Sequence, residues 1–257
     1  HLLDAEQMLS LDRWTVERAR QLQEQICRAY DTYEFHRIYQ LVHNFCNVDM
    51  GGFYLDIIKD RLYTTGSDSH PRRSAQTAMY HIAEGMVRWL APILSFTAEE
   101  IWQELPGERE ASVLLSAFTE LPSEEDTRLD WQSLIEVRTT VDKALEALRD
   151  AGDIGSPLDA EVTVYASGAL LKSLQELGDE LRFVFITSEA AVADLNEAPV
   201  DATEGEGFKV SVKVSEHEKC IRCWHRREDV GKVTGHEEVC GRCADNVDGD
   251  GEQRAFA

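Results

Sequence analysis

The sequence predicts a mainly α protein: a helical bundle, followed by a small α/β module and a C-terminal knob organised by four cysteines. Three observations carry this. Apolar residues recur at helical spacing through most of residues 10–105. Apolar and polar residues alternate at 161–165 and 208–214, as in half-buried strands. Cys220-Ile221-Arg222-Cys223 and Cys240-Gly241-Arg242-Cys243 are two C-x-x-C pairs sixteen residues apart, a separation that suits one tetrahedral zinc ion. The last segment therefore reads as a zinc-binding knob with four cysteine ligands.

The first helix covers 10–34, where Leu11, Trp14, Ala19, Leu22, Ile26, Ala29 and Tyr30 share a stripe uninterrupted by Gly or Pro. A second run, 35–62, has a broad apolar face through Ile38, Leu41, Val42, Val48 and Ile58. Its weak point is Gly51-Gly52, a kink or a place of close helix approach. The aromatic residues Phe35, Phe45, Phe53 and Trp89 are expected in the core. The cluster from Thr64 to Ser69 breaks the pattern, and Pro71 suits a helix start. A third helix then runs from Arg72 to Leu90, bounded by Pro92. Thr97 is expected to N-cap a short fourth helix, with Glu100 as its capping-box partner. Four amphipathic helices make a bundle.

Residues 106–127 lack periodicity and read as a linker lying over the surface. A fifth helix, 130–151, has Leu134, Val137, Val141, Leu145 and Leu148 at heptad-like spacing and stops at Gly152. Glu161 to Tyr165 alternates as a strand, 168–178 reads as a short helix, and Phe183 to Ile186 as a strand or helix end. Val192 and its neighbours suit another strand, and Phe208 to Val214 alternates clearly. The division expected is a bundle over 1–106, a linker over 107–129, a small acidic α/β junction module over 130–215 and a zinc-binding domain over 216–257, ending in a polar tail.

Composition bounds the function. With 43% hydrophobic and 29% charged residues, the 257-residue chain suits a soluble globular protein. No apolar run approaches the roughly 20 residues of a membrane span, and no secretory leader is visible. The chain opens on His1 rather than Met, as a piece excised from a larger protein would. Cys27 and Cys46 are too few for a disulfide framework, and with the paired knuckles they point to a reducing cytoplasm. A net charge of −22 argues against a polyanion partner, but its distribution softens the objection. Residues 1–105 carry −5, 106–215 carry −14 and 216–257 carry −3, so a polyanion would meet the ends and not the middle.

Four thiolates fill a tetrahedral zinc shell and leave no position for water or substrate, so the expected ion is single and structural. His217, His225 and His236 are rival ligands, expected on the knob surface because Cys220, Cys223, Cys240 and Cys243 already complete the shell. A knob of about 40 residues has little core of its own, and metal binding worth roughly 10–16 kcal/mol can hold it folded. Neither C-x-x-C sits in the strand–helix context of a redox motif.

Trp224-His225-Arg226-Arg227 puts an aromatic beside guanidinium groups on a metal-held turn. That suits stacking on an unpaired base with phosphate contact; the alternative is a Trp224 packed over the ion with Arg226 and Arg227 solvated. Arg222 lies between two ligands, where its guanidinium is expected to point outward, and Arg242 has the same place in the second knuckle. Lys59, Arg61, Arg72 and Arg73 flank one helix end and one helix start, gathering positive charge that suits a phosphate backbone. Their alternative is ordinary helix-end charge, although Arg72 and Arg73 oppose the helix dipole. No phosphate loop, Ser/His/Asp set or paired carboxylates suggest an active site.

Leu11-Asp12-Arg13-Trp14, Tyr33-Glu34-Phe35-His36, Phe53-Tyr54-Leu55-Asp56, Lys59-Asp60-Arg61-Leu62-Tyr63, Arg72-Arg73-Ser74-Ala75-Gln76-Thr77 and Leu90 to Trp102 resemble the anticodon-binding bundle shared by isoleucyl-, valyl- and leucyl-tRNA synthetases. Lys219-Cys220, Arg222-Cys223-Trp224-His225, Cys240-Gly241-Arg242-Cys243 and the terminus through Gly249, Arg254 and Phe256 resemble the zinc-binding C-terminus of the bacterial isoleucyl enzymes. The resemblance covers nearly the whole chain and is weakest in the acidic module.

It implies a part of a class I synthetase that attaches isoleucine to its tRNA using ATP. The partners implied are the anticodon stem-loop of isoleucine tRNA and the catalytic and editing domains of the same enzyme. The signatures of those domains are missing here, so this segment is expected to bind tRNA without aminoacylating it. In the family the Arg and Trp flanking the second cysteine reach the anticodon region, which assigns that role to Arg222 and Trp224. A competing reading from another class is a docking module in which zinc is only a staple.

Overall fold

A computed structural model describes residues 2–122 and 129–257. The chain clusters into two compact units, one of residues 1–56 with 73–126 and the other of 57–72 with 127–257. Among the described residues no helix is long and apolar enough to cross a membrane.

In the first unit, helix α1 spans Ser10–Asp31 and buries Leu11, Val16, Ala19, Leu22 and Ile26. It ends at Asp31, short of the expected 10–34, because Tyr33 takes a left-handed φ of 58°. The Tyr33 N–H bonds to the Tyr30 carbonyl at 3.1 Å and the Glu34 N–H to that of Ala29 at 2.8 Å, closing a Schellman motif. Glycine is the usual occupant of that position.

Helix α2, Phe35–Asn44, buries only Ile38 and Val42. The chain then winds through a ten-residue π-helical segment, Phe45–Tyr54, into α3, Leu55–Thr64. The expected kink at Gly51-Gly52 is thus a widened turn. A Cβ at Gly51 or Gly52 would stand 3.1 Å from the carbonyl oxygen of Cys46 or Asn47, five residues back, so glycine makes room for the i→i−5 winding.

Helix α4 spans His70–Leu90 and α5 Ser95–Glu104. The expected cap at Thr97 is not formed: α5 starts three residues sooner, with Leu94 at the N-cap and no side-chain cap bond. Glu99 rather than Glu100 is the bonded carboxylate, accepting from Ser112 Oγ at 2.8 Å and the Val113 N–H at 3.0 Å.

Phe45, Phe53 and Trp89 are buried as expected, with Trp14 and Phe53 in edge contact at 5.3 Å. Phe35 is not: it is 47% exposed, because its helix turns only a narrow strip inward. Tyr54 donates to Asp12 at 2.7 Å, and Ser74 donates to the other carboxylate oxygen while accepting from the Leu9 N–H at 2.7 Å. The described part of the expected linker does more than lie over the surface. Val113 packs with Val87, Ala91, Ala98 and Trp102. Residues 123–128 of that linker lie outside the described residues.

In the second unit, α6 spans Trp131–Ala151, capped by Asp130 accepting from the Gln132 and Ser133 N–H groups and ended by left-handed Gly152. Strand β1, Ala160–Ala166, leads to α7, Gly168–Leu177, and α8, Leu181–Phe185, all five residues of which are buried. Strands β2, Glu189–Asp194, β3, Thr203–Glu204, and β4, Lys209–Val214, complete a sheet of order β2-β1-β4-β3. β1 runs parallel to β2 and antiparallel to β4. Leu134, Val137 and Val141 of α6 are fully buried, and α6 packs against β4. Helix α9, Gly241–Asp248, closes the knob.

Candidate metal centre

The four knob cysteines converge. Their sulfurs all lie within 4.8 Å of one another, and each cysteine is at most 7% exposed. Local structure explains the convergence. An isolated bridge between Lys219 and Arg226 folds the first knuckle back, and the Trp224 N–H closes the turn on the Cys220 carbonyl at 2.9 Å. The second knuckle begins at Cys240, the N-cap of α9, where free N–H groups favour a thiolate. The Cys240 N–H also donates to Cys220 Sγ at 3.4 Å, and Val230 and Val239 pack around the sulfurs.

The cluster fits zinc. A tetrahedron with metal–sulfur bonds of about 2.3 Å has edges of about 3.8 Å, and Cys223 Sγ and Cys240 Sγ are 3.8 Å apart. Four buried sulfurs this close repel one another as thiolates, and a dication at their centre favours all four thiolates at once. The donor set therefore supports one structural zinc ion.

None of the rival histidines belongs to the four-sulfur cluster. His225 is buried rather than on the knob surface, 2% exposed, with Nδ1 3.2 Å from the Cys223 carbonyl and its ring edge-on to Phe183 at 5.8 Å. His236 meets Asp248 at 2.7 Å. His217 lies 3.7 Å from Glu161.

The proposed RNA-binding residues scatter in environment. Trp224 is 61% exposed with a left-handed φ of 67°. Arg222 does not point outward: its Nη1 donates to the Thr64 carbonyl at the end of α3, an acceptor no longer used by the helix. Arg226 pairs with Asp159 at 2.9 Å and donates to the His217 carbonyl at 3.1 Å. Arg227 donates to the Ser188 carbonyl at 3.0 Å. Lys59 is exposed, and Arg72 and Arg73 are half-buried. Arg61 is fully buried, with Nη1 3.4 Å from the Pro71 carbonyl, and so has no surface to offer a phosphate.

One set of residues has almost no signature in the sequence. Arg242 grips Asp60 with two hydrogen bonds, of 2.6 and 2.9 Å, and Arg254 reaches the same carboxylate. The guanidinium carbons of Arg254, Arg182 and Arg242 lie 3.7, 4.1 and 5.0 Å from the Phe183 ring centroid. Glu180 accepts from three successive N–H groups, those of Ala255, Phe256 and Ala257, at 2.8 to 2.9 Å. The polar tail is thus anchored. Arg242, placed between two ligands, carries a signal of its own in the sequence, and Asp60 and Arg254 enter only within the resembling segments.

Comparisons with known proteins agree with this geometry. Residues 12–164 match the family described as the anticodon-binding domain of tRNA ligase, and residues 218–246 match the zinc finger found in FPG and IleRS. An isoleucine–tRNA ligase of Saccharophagus degradans is 56% identical over 100% of this chain and 28% of its own length. One of Halorhodospira halophila is 57% identical over 99% of the chain, again 28% of its own length. The chain thus spans little more than a quarter of the curated relatives it matches.

Proposed function

The chain belongs to the family of anticodon-binding domains of tRNA ligases, and we propose that it is the tRNA-binding part of an isoleucine–tRNA ligase, working in the cytoplasm. The whole enzyme would join isoleucine to its tRNA at the expense of ATP, with catalytic and editing domains outside this chain as its same-chain partners. No catalytic residue is assigned here. Its task is to hold the anticodon stem-loop.

The observation that carries this reading is Trp224. An indole directly after the first knuckle is exposed and held in a backbone region that costs an ordinary residue roughly 1–2 kcal/mol. A buried aromatic would compensate that strain by packing; an exposed one gains more from stacking on a base. Zinc, held by Cys220, Cys223, Cys240 and Cys243, would supply rigidity and no chemistry. Arg222, whose Nη1 is bonded to the Thr64 carbonyl, steadies the knuckle. Lys59, Arg72 and Arg73 remain candidates for phosphate contact.

The test compares binding of transcribed isoleucine tRNA and a version with a swapped anticodon at low salt. Equal affinity for the two sinks anticodon reading. A second reading, a docking module stapled by zinc, draws on Arg222, Arg226 and Arg227 all being turned onto their own chain. It requires that Trp224→Ala leave tRNA affinity unchanged.

A further inference from the structure

Trp224 is fixed from both sides, and only one of them is the cysteine cluster. Before it, Cys223 belongs to that cluster. After it, the chain is pinned to the sheet. The isolated bridge between Lys219 and Arg226 is flanked by two hydrogen bonds, from the Cys220 N–H to the His225 carbonyl at 2.9 Å and from the Arg227 N–H to the Glu218 carbonyl at 3.0 Å. In an antiparallel pair such bonds belong to alternate residues, so the Arg226 N–H faces away from the opposite strand. Its acceptor is Ser188 Oγ, one residue before β2. Ser188 is 0% exposed and every polar group it has is used. Its N–H donates to the Ala160 carbonyl at 3.0 Å, its hydroxyl donates to the Leu158 carbonyl, and its own carbonyl accepts from Arg227 Nη1 at 3.0 Å. The Arg226 side chain adds a second hold, its Nε donating to Asp159 Oδ1 at 2.9 Å just before β1.

A left-handed backbone at a residue other than glycine persists only where its surroundings over-determine it. Cys223 supplies one fixed end of the turn, and the bonds to Ser188 and Asp159 supply the other, two residues past Trp224. With either end released, the φ of 67° has nothing to hold it against the favoured regions. We propose that Ser188 and Arg226 are positioning residues for Trp224: the metal and this latch together set how the indole is presented to RNA, and a filled metal site alone does not. The inference rests on the tRNA-binding reading above. It gives the acidic module a task that its charge does not oppose, since β1 and β2 serve as the mount of the knuckle and need not touch RNA. It also gives Arg226 and Arg227 a use other than phosphate contact.

The experiment uses the zinc-loaded 257-residue chain, transcribed isoleucine tRNA, and two variants, each alone and combined with Trp224→Ala. Ser188→Ala removes the acceptor of the Arg226 N–H and is expected to weaken tRNA binding about fivefold or more, the shift that loss of one buried hydrogen-bond partner permits. Zinc should stay at one per chain, and the Arg226 amide should exchange freely. Arg226→Ala keeps that N–H and drops the arm to Asp159, on a side chain 31% exposed, so it decides the matter if Ser188→Ala does not hold its zinc. Trp224→Ala alone should weaken binding about five- to 150-fold, and neither variant should weaken it further in that background. The slope of affinity against salt should be unchanged, because no phosphate contact is lost. Losses that add to that of Trp224→Ala, a salt slope lowered by about one in Arg226→Ala, or parent-like affinity in both variants would overturn the proposal and leave the tRNA-binding reading in place. If Trp224→Ala binds tRNA like the parent, the reading of Trp224 falls, and this inference with it.

Discussion

Arg242 and Asp60 form a bidentate ion pair in which the two side chains are only 11% and 15% exposed. The pair joins the second zinc knuckle to α3 across 182 positions of sequence. Burial alone would raise the Asp60 pKa, but Arg242 and then Arg254 reverse this and hold its carboxyl below the usual range. Replacing Asp60 by Asn leaves Glu252 as the carboxylate shared by the buried guanidinium groups of Arg242 and Arg254, so the cost should fall below the roughly 3–5 kcal/mol of a fully unpaired buried charge. Chemical denaturation of the second unit, followed by amide exchange in α9, should show that loss. Because the folded pKa is depressed, the carboxylate's contribution is complete above its ordinary value of about 3.9 and is lost as pH falls below it. Acid melting of D60N should therefore be flatter than that of the parent between about pH 4 and pH 2.

Removing the metal should unfold the knob and spare the first unit. Elemental analysis should find one zinc per chain, and Cys240→Ser should bind it far more weakly. On chelation, the amides of 216–257 should exchange freely while those of α1 and α4 stay protected. Loss of protection throughout would mean that the ion supports more than the knob.

Trp224 offers a test that separates stability from recognition. Glycine suits a left-handed backbone, so Trp224→Gly should keep or raise the stability of the knob, by about 1 kcal/mol. The same change should weaken tRNA binding by about 1–3 kcal/mol if the indole stacks on a base. A knob destabilised by W224G would show instead that the ring packs usefully on its own chain.

Glu180 anchors the tail through three backbone N–H groups. Glu180→Ala should release them, and amide exchange at 255–257 should approach the unprotected rate. The zinc content should not change, because the Glu180 carboxylate is spent on the tail and supplies nothing to the sulfur cluster. Metal loss in this variant would tie the tail to the integrity of that cluster.

Much of the architecture follows from signals that act over a few residues. The two-residue spacers of the knuckles, the Asp130 and Gly152 ends of α6 and the alternation in β1 and β4 are all local, and each appears where the pattern puts it. The misses have physical reasons. Tyr33 ends α1 with a side chain that no glycine rule would flag. The π-helical winding at Gly51-Gly52 keeps helical periodicity while changing its hydrogen bonds. Spacing alone suits Arg222, Arg226 and Arg227 to an outward position. A guanidinium, however, has five donors on a long stem, and spacing along the chain does not say which acceptor lies within reach. Asp60 stands among other helix-end charges until the fold brings Arg242 to it.

The exposure of Trp224 has a practical side. The chain has five tryptophans, of which Trp89, Trp102 and Trp131 are buried and Trp14 is half-buried. Only Trp224 stands mostly in solvent. A dissolved collisional quencher such as iodide or acrylamide will therefore dim that indole first, and the quenchable fraction of the native emission becomes an optical readout of a single side chain. Occupation of the knuckle by RNA can be followed in the unlabelled protein by its shielding from the quencher.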